Sequence, residues 1–203
     1  MEARKAIALA FTGASGAVYG LRLLEVLRRV GEDVLLMVSP PARVVLATEV
    51  ELNLPGSPKE METALSRRYP GEGTLRVFGP AQWMAPVASG SNAPRAMVVC
   101  PCSMGTLAAI AQGHSRSLLE RAADVAIKER RRLILVPRET PFSAIHLEHM
   151  LKLARLGVTI LPANPGFYHR PQRLEELVDF VVARILDHLE VAHDLTQRWG
   201  EAD

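Results

Sequence analysis

IALAFTGASGAVYG, residues 7–20, is the stretch from which the rest of the chain can be read. Residues 7–11 form an unbroken apolar run, the pattern of a parallel strand buried on both faces. Thr12-Gly13 ends it, and a turn of glycine, alanine and serine leads into residues 21–27, LRLLEVL, where apolar side chains recur at helical spacing. A strand feeding a helix through small residues leaves main-chain N–H groups bare at the helix N-terminus, where an anion can approach closely. The turn is therefore expected to hold the phosphate of a cofactor.

The same alternation continues. Residues 33–38 read as a second strand, 42–51 as a helix begun by Pro40-Pro41, 59–68 as a short amphipathic helix and 75–78 as a third strand. Residues 79–94, rich in Gly, Pro, Ala and Ser, make a loop long enough to suggest a function. Residues 96–100 form a strand that Pro101 breaks. Helices at 107–111 and 118–131 follow, then a strand at 133–136 and a helix at 143–156 closed by Gly157. A last strand at 158–161, a loop at 162–173 and a helix at 174–189 lead to a polar tail, about 190–203. Strands alternating with helices imply one α/β domain over residues 1–203, a mostly parallel sheet covered by helices on both faces. Such sheets bind ligands beyond the carboxyl ends of their strands. Those ends carry Gly13 and Ser15, Ser39, Ser103 and Thr106, Arg138 and Glu139, and Tyr168, a convergence that outweighs any single motif.

With 203 residues, 48% hydrophobic and 23% charged, the chain can bury a sizeable core. A net charge of +2 and few aromatic residues argue against nucleic acid, and no apolar run reaches the length of a membrane span. MEARK runs straight into the first strand and leaves no room for a signal peptide. Cys100 and Cys102 are too few for a disulfide framework and suit a reducing cytoplasm. They also fall short of a structural metal site, and His146-Leu147-Glu148-His149 lacks the H-E-x-x-H order, so no metal is expected. G-x-S-x-G and a D-D-x-x-D magnesium motif are absent, which argues against a hydrolase and against a diphosphate enzyme of the isoprenyl type.

The glycines at 13, 16 and 20 do not make the dinucleotide fingerprint G-x-G-x-x-G, and the related T-G-x-x-G-x-x-G fails by one residue. The Tyr-x-x-x-Lys pair of short-chain dehydrogenases is missing as well: Leu23, Gly73 and Gln172 stand four residues after Tyr19, Tyr69 and Tyr168. Where a dinucleotide fold places an acid for the adenosine ribose, at the end of the second strand, this chain has Ser39. FMN fits these residues better than NAD. A small-residue turn serving only close strand–helix packing is the alternative.

TGASGAVYG, the SPPA turn with Glu49 downstream, PVASGS at 86–91 and PCSMGTLAAIA at 101–111 together resemble the flavin prenyltransferase family, once described as a decarboxylase of ubiquinone biosynthesis. The likeness continues through RAADVAIKERR, LVPRETP, HLEHMLKLARLG, PGFYHRP and LVDFVVARILD, and is weakest over residues 52–85. It implies a Rossmann-like (flavodoxin-like) three-layer flavoprotein that assembles as a homo-dodecamer with sites between subunits. The implied reaction joins the dimethylallyl group of dimethylallyl phosphate to N5 and C6 of reduced FMN, giving prenylated FMN and phosphate. The product would serve a partner decarboxylase.

By that resemblance FMN is held by Gly13, Ala14, Ser15, Ser39, Ser103, Met104, Gly105, Thr106 and Arg138. The substrate phosphate is held by Lys128, Arg138, Tyr168 and Arg184, drawn from more than one subunit. Cations and a phenol aimed at a departing phosphate stabilise its charge without a metal. Glu139 is expected to shuttle a proton with the released phosphate, Ser15 and Glu49 to lie near N5, and Trp83 to offer a π face to the allylic cation. Read without the family, Arg184 and Lys128 are solvated helix residues, Glu139 a partner for Arg138, and Trp83 a packing residue. Two other functions stay in view: an FMN-dependent cysteine decarboxylase of related fold, disfavoured because residues 42–51 contain no histidine, and a carrier that only delivers FMN.

Overall fold

A computed structural model describes residues 6–196. MEARK, on which the signal-peptide expectation rests, and residues 197–203 of the polar tail lie outside them. The strands are β1 (Ile7–Phe11), β2 (Val34–Val38), β3 (Leu75–Phe78), β4 (Ala96–Cys102), β5 (Arg132–Pro137) and β6 (Thr159–Ile160). Between them run α1 (Ala17–Arg29), α2 (Pro40–Val50), α3 (Pro58–Arg68), α4 (Met104–Ala111), α5 (Leu118–Lys128) and α6 (Ala144–Arg155), and α7 (Leu174–Leu189) follows β6. The sheet order is β3-β2-β1-β4-β5-β6 and every pairing is parallel. This is the doubly wound Rossmann order, which reverses between β1 and β4 and opens a crevice beyond their carboxyl ends.

Alternate residues of each strand feed two cores. Ile7, Leu9, Leu36 and Val98 pack with α1, α2, α3 and α7 on one face; Ala8, Ala10, Met97 and Leu135 pack with α4, α5 and α6 on the other. The three-layer expectation from the continuous apolar runs is met. The crossover from β3 to β4 differs from the others. Residues 79–95 span that face without an α-helix, using two short 3₁₀ turns, Pro86–Ala88 and Gly90–Asn92, and burying Ala85 and Val87 against α5. Much of this long loop does the covering work of a helix.

Pro101 does not break β4. The strand runs on to Cys102 because Pro101 has no N–H to leave unpaired and its carbonyl is taken up by Thr12, while a register shift between Val99 and Cys102 absorbs the irregularity. Gly20 has a packing role: a β-carbon there would stand 2.4 Å from the Cys100 carbonyl oxygen and 2.7 Å from the Phe11 ring. At the amino end of the strands, Arg95 pairs with buried Glu32 at 2.9 Å and donates to the Leu189 carbonyl at 3.0 Å, which pins the end of α7. Among the described residues no helix is long and apolar enough to cross a membrane.

Candidate active site

The crevice is built first by a threonine that the sequence reading passed over as part of a turn. Thr12, 2% exposed, donates its hydroxyl proton to the Pro101 carbonyl at 2.7 Å and accepts the Ser103 N–H at 2.8 Å. The side chain thus locks the end of β1 to the end of β4, where the reversal of strand order opens the sheet. No local pattern announces it, because its partners lie about 90 residues away. Thr12→Val is expected to leave the Ser103 N–H unpaired, lowering stability by about 1–3 kcal/mol. A reduced denaturation midpoint and weaker FMN binding, both recovered in Thr12→Ser, would register this.

The β1–α1 turn is organised differently from expectation. Gly16, with φ 103°, precedes α1, and the Glu49 carboxylate of α2 accepts the Gly16 and Ala17 N–H groups, each at 2.9 Å through Oε2. Those are the amides assigned above to a cofactor phosphate, so the helix N-terminus is already occupied by the chain's own anion. This contact also explains why α1 starts at Ala17, before the apolar periodicity begins. Burial alone would push the Glu49 carboxyl up, but the Ser15 hydroxyl, the two amides and the charge of Arg138 outweigh it and hold it below the usual carboxylate range. Because the folded value lies below the unfolded one, the resulting stabilisation is complete above the ordinary carboxylate range. It is lost as pH falls through the lowered value.

Gly13 stands where a β-carbon would meet that of Pro41 at 2.5 Å, so its smallness lets α2 close against the turn. Ala14 and Met104 turn their side chains into the protein and can offer a ligand only main-chain groups. Ser39 caps α2 by accepting the Ala42 N–H at 3.2 Å, and Ser103 caps α4 by accepting the Thr106 N–H at 3.3 Å. Ser103 also donates to the Thr106 hydroxyl oxygen at 3.0 Å, leaving the Thr106 proton available to a further acceptor. Ser39 and Thr106 line one cleft of about 200 Å³ with Met37, Phe78, Pro80 and Ser117. A β-carbon built at Gly105, in the first turn of α4, meets no atom within 4 Å. The space is open where a ligand would need it.

Arg138 follows β5, and its Nε is buried with no hydrogen-bond partner among the described residues. A buried guanidinium nitrogen without an acceptor is costly unless an anion completes it. Glu139 accepts the Thr140 N–H at 3.1 Å. Tyr168, 62% exposed, lies on the loop after β6 with its ring edge-on to Phe180 at 5.7 Å, and Arg184 follows Phe180 by one turn of α7. The Gly13–Thr106 set, Arg138 and Glu139 all stand at the carboxyl end of the sheet.

Two expected residues are placed elsewhere. Lys128 ends α5, pairs with Glu129 and lies beside Gly90, before the start of β5. The length of β5, about 17 Å, separates that edge from Arg138. Trp83 lines a shallow hollow with Arg76, Phe78, Gln82 and Met84, and none of the other expected site residues lines it.

The "Flavoprotein" family model matches residues 1–186. A flavin prenyltransferase UbiX of Pseudomonas aeruginosa is 58% identical over 99% of this chain and 97% of its own length. Another, from Halalkalibacterium halodurans, is 47% identical over 94% of this chain and 91% of its own length. This chain belongs to the flavin prenyltransferases. Solved members of the family share its structure. The dodecameric FMN-dependent UbiX-like decarboxylase from Escherichia coli O157:H7 is 39% identical with TM-score 0.82, over 95% of this chain and 98% of its own. AnUbiX (PadA1), in complex with FMN and dimethylallyl pyrophosphate, is 39% identical with TM-score 0.87, over 99% and 100%. The FMN-dependent cysteine decarboxylase TvaF, at 15% identity and TM-score 0.59 over 93% and 99%, shares the fold alone. The missing histidine that disfavours a cysteine decarboxylase falls in α2, the helix after β2.

Proposed function

We propose that this chain, acting as a single domain, transfers the dimethylallyl group of dimethylallyl phosphate to reduced FMN, at N5 and C6, and releases prenylated FMN and phosphate. The observation that carries the reading is Arg138. Its Nε is buried with no partner among the described residues, and its charge is near enough to Glu49 to help lower that carboxyl. A guanidinium so placed can meet an anion on one side while the turn presents a hydrogen-bonding edge on the other.

The FMN phosphate fits the cleft of Ser39 and Thr106 at the N-terminus of α4, since the amides of α1 are taken by Glu49. Reduced FMN supplies the nucleophilic N5 and C6. Ser15 donates a hydrogen bond to the ionised Glu49, which leaves the serine oxygen able to accept an N–H from the flavin edge. Gly13 and the main-chain groups of Ala14, Met104 and Gly105 allow close approach. Arg138, Tyr168 and Arg184 would hold the substrate phosphate, and Glu139 would exchange a proton with the released phosphate, so that the allylic double bond gains one proton as ring closure releases one from C6. Lys128 reaches this site from a neighbouring subunit, a reading supported by its distance from Arg138 along β5, and Trp83 covers the allylic group across the same kind of junction. Assembly as a homo-dodecamer supplies those junctions. The product then passes to a prenyl-FMN-dependent decarboxylase in the cytoplasm.

Anaerobic incubation with reduced FMN and dimethylallyl phosphate, followed by mass spectrometry, should show a flavin heavier by one dimethylallyl unit. A parallel reaction with the pyrophosphate tests the leaving group, and the monophosphate is expected to react faster. Bound FMN with no adduct from either donor would sink the assignment and favour a carrier.

A further inference from the structure

The chain beyond α7 is not a solvated tail as far as Thr196. Glu190, with φ 57°, turns it back, Val191 is buried, and Leu195 packs against the core of α1 and α7. Between those two anchors stands His193, with its side chain 3% exposed. A histidine so enclosed has few positions open to it, and both of its nitrogens are engaged. Nδ1 lies 3.4 Å from the Leu195 N–H, a long but directed contact in which the nitrogen accepts. Nε2 lies 3.1 Å from Asp187 Oδ1. With Nδ1 accepting, the ring proton sits on Nε2 and is donated to the carboxylate, which fixes the tautomer.

Asp187 is held from its other side too. Its Oδ2 accepts from Arg184 Nη1 at 2.7 Å. Each oxygen therefore has its own donor, and the carboxylate cannot swing without losing one of them. An exposed Arg–Asp pair three residues apart on a helix would by itself hold the long side chain only weakly. Here the pair is tied to a buried group, and Arg184 inherits that rigidity. The imidazole N–H also draws on the charge of Asp187, so the carboxylate neutralises the guanidinium less than it would alone. Arg184 stands one turn of α7 after Phe180, against which Tyr168 and His169 lie at 5.7 and 5.5 Å.

We propose that His193, acting through Asp187, is a positioning residue for Arg184, fixing its guanidinium for the phosphate of the allylic substrate. The inference rests on the reading of Arg184 as a phosphate ligand given above. Neither His193 nor Asp187 touches the substrate.

The test is steady-state kinetics of the full chain with reduced FMN saturating and dimethylallyl phosphate varied. His193→Phe keeps the bulk and removes the donor. It should raise KM for the allylic phosphate about 5- to 10-fold, the loss of one hydrogen bond, with kcat and FMN affinity within about twofold of wild type. His193→Gln, whose amide can still donate to Asp187, should recover most of the loss. In an Arg184→Ala background His193→Phe should add nothing, because the group it positions is gone. If the Phe variant is not recovered folded, Asp187→Ser carries the same comparison. An unchanged KM in His193→Phe beside a raised KM in Arg184→Ala would overturn the positioning role and leave Arg184 standing. Additive effects in the double variant would overturn it as well, as a general loosening of the fold. An unchanged KM in Arg184→Ala would remove Arg184 itself from the site, a result distinguishable from the other two.

Discussion

Arg138→Ala is expected to lower prenyl transfer by about 10²–10³-fold, the usual cost of deleting one group that meets charge as it develops on a leaving oxygen. The wild-type guanidinium has its Nε buried with no hydrogen-bond partner among the described residues, so that nitrogen still lacks an acceptor even though the Glu49 carboxylate feels the charge. That is the arrangement wanted of a group whose partner arrives with the substrate. Arg138→Lys should recover little, because an ammonium cannot offer the planar fork that a phosphate accepts from arginine. Single-turnover formation of the prenylated flavin, followed by mass, measures the loss. Circular dichroism should stay at wild type. Glu49 should report the change independently: with the positive charge gone its carboxyl moves back up toward the ordinary range, visible by carboxyl NMR. Near-wild-type turnover in Arg138→Ala would move the phosphate site elsewhere.

Glu139→Gln is the second large effect. The loss of one proton-transferring carboxylate should slow turnover by about 10²-fold while FMN affinity holds within about twofold. The proposed proton transfer and the structural contact of the side chain use different oxygens. One oxygen accepts the Thr140 N–H at 3.1 Å, a bond that glutamine's carbonyl can keep, so the loop need not move. The other oxygen is where a proton would be held, and an amide cannot hold it. A pre-steady-state experiment is the sharpest readout, since bond formation at N5 should proceed and ring closure should lag. Wild-type turnover would take Glu139 out of the reaction.

How much could be read beforehand depended on how local the cause was. β1, β3 and α7 fall where apolar runs and helical spacing put them, because each pattern is complete within its own segment. The onset of α1 was missed by several residues, since the carboxylate that caps it comes from Glu49, 33 positions away. Pro101 was expected to break β4 and does not, because Thr12, just past the end of β1, takes up its carbonyl. The residues at the strand ends were legible as a set. Which of them meet was not, since Lys128 and Arg138 share a neighbouring strand but stand at its opposite ends. Thr12 and His193 left no signature, because a lone polar residue beside an apolar run, or within a polar tail, looks the same whether it bridges, packs or faces water.

The carboxylate at the head of α1 has a consequence for cofactor choice. Doubly wound folds with this strand order commonly give that helix end to a pyrophosphate. Here a nicotinamide dinucleotide would bring two further negative charges up against Glu49 and find no free amides at Gly16 and Ala17 to receive them. The repulsion discriminates against NAD before any contact with its adenosine is made. An uncharged ring edge suffers no such penalty, so the fold that elsewhere grips a cofactor by its phosphates is turned, by one internal side chain, into one that can meet a flavin by its ring.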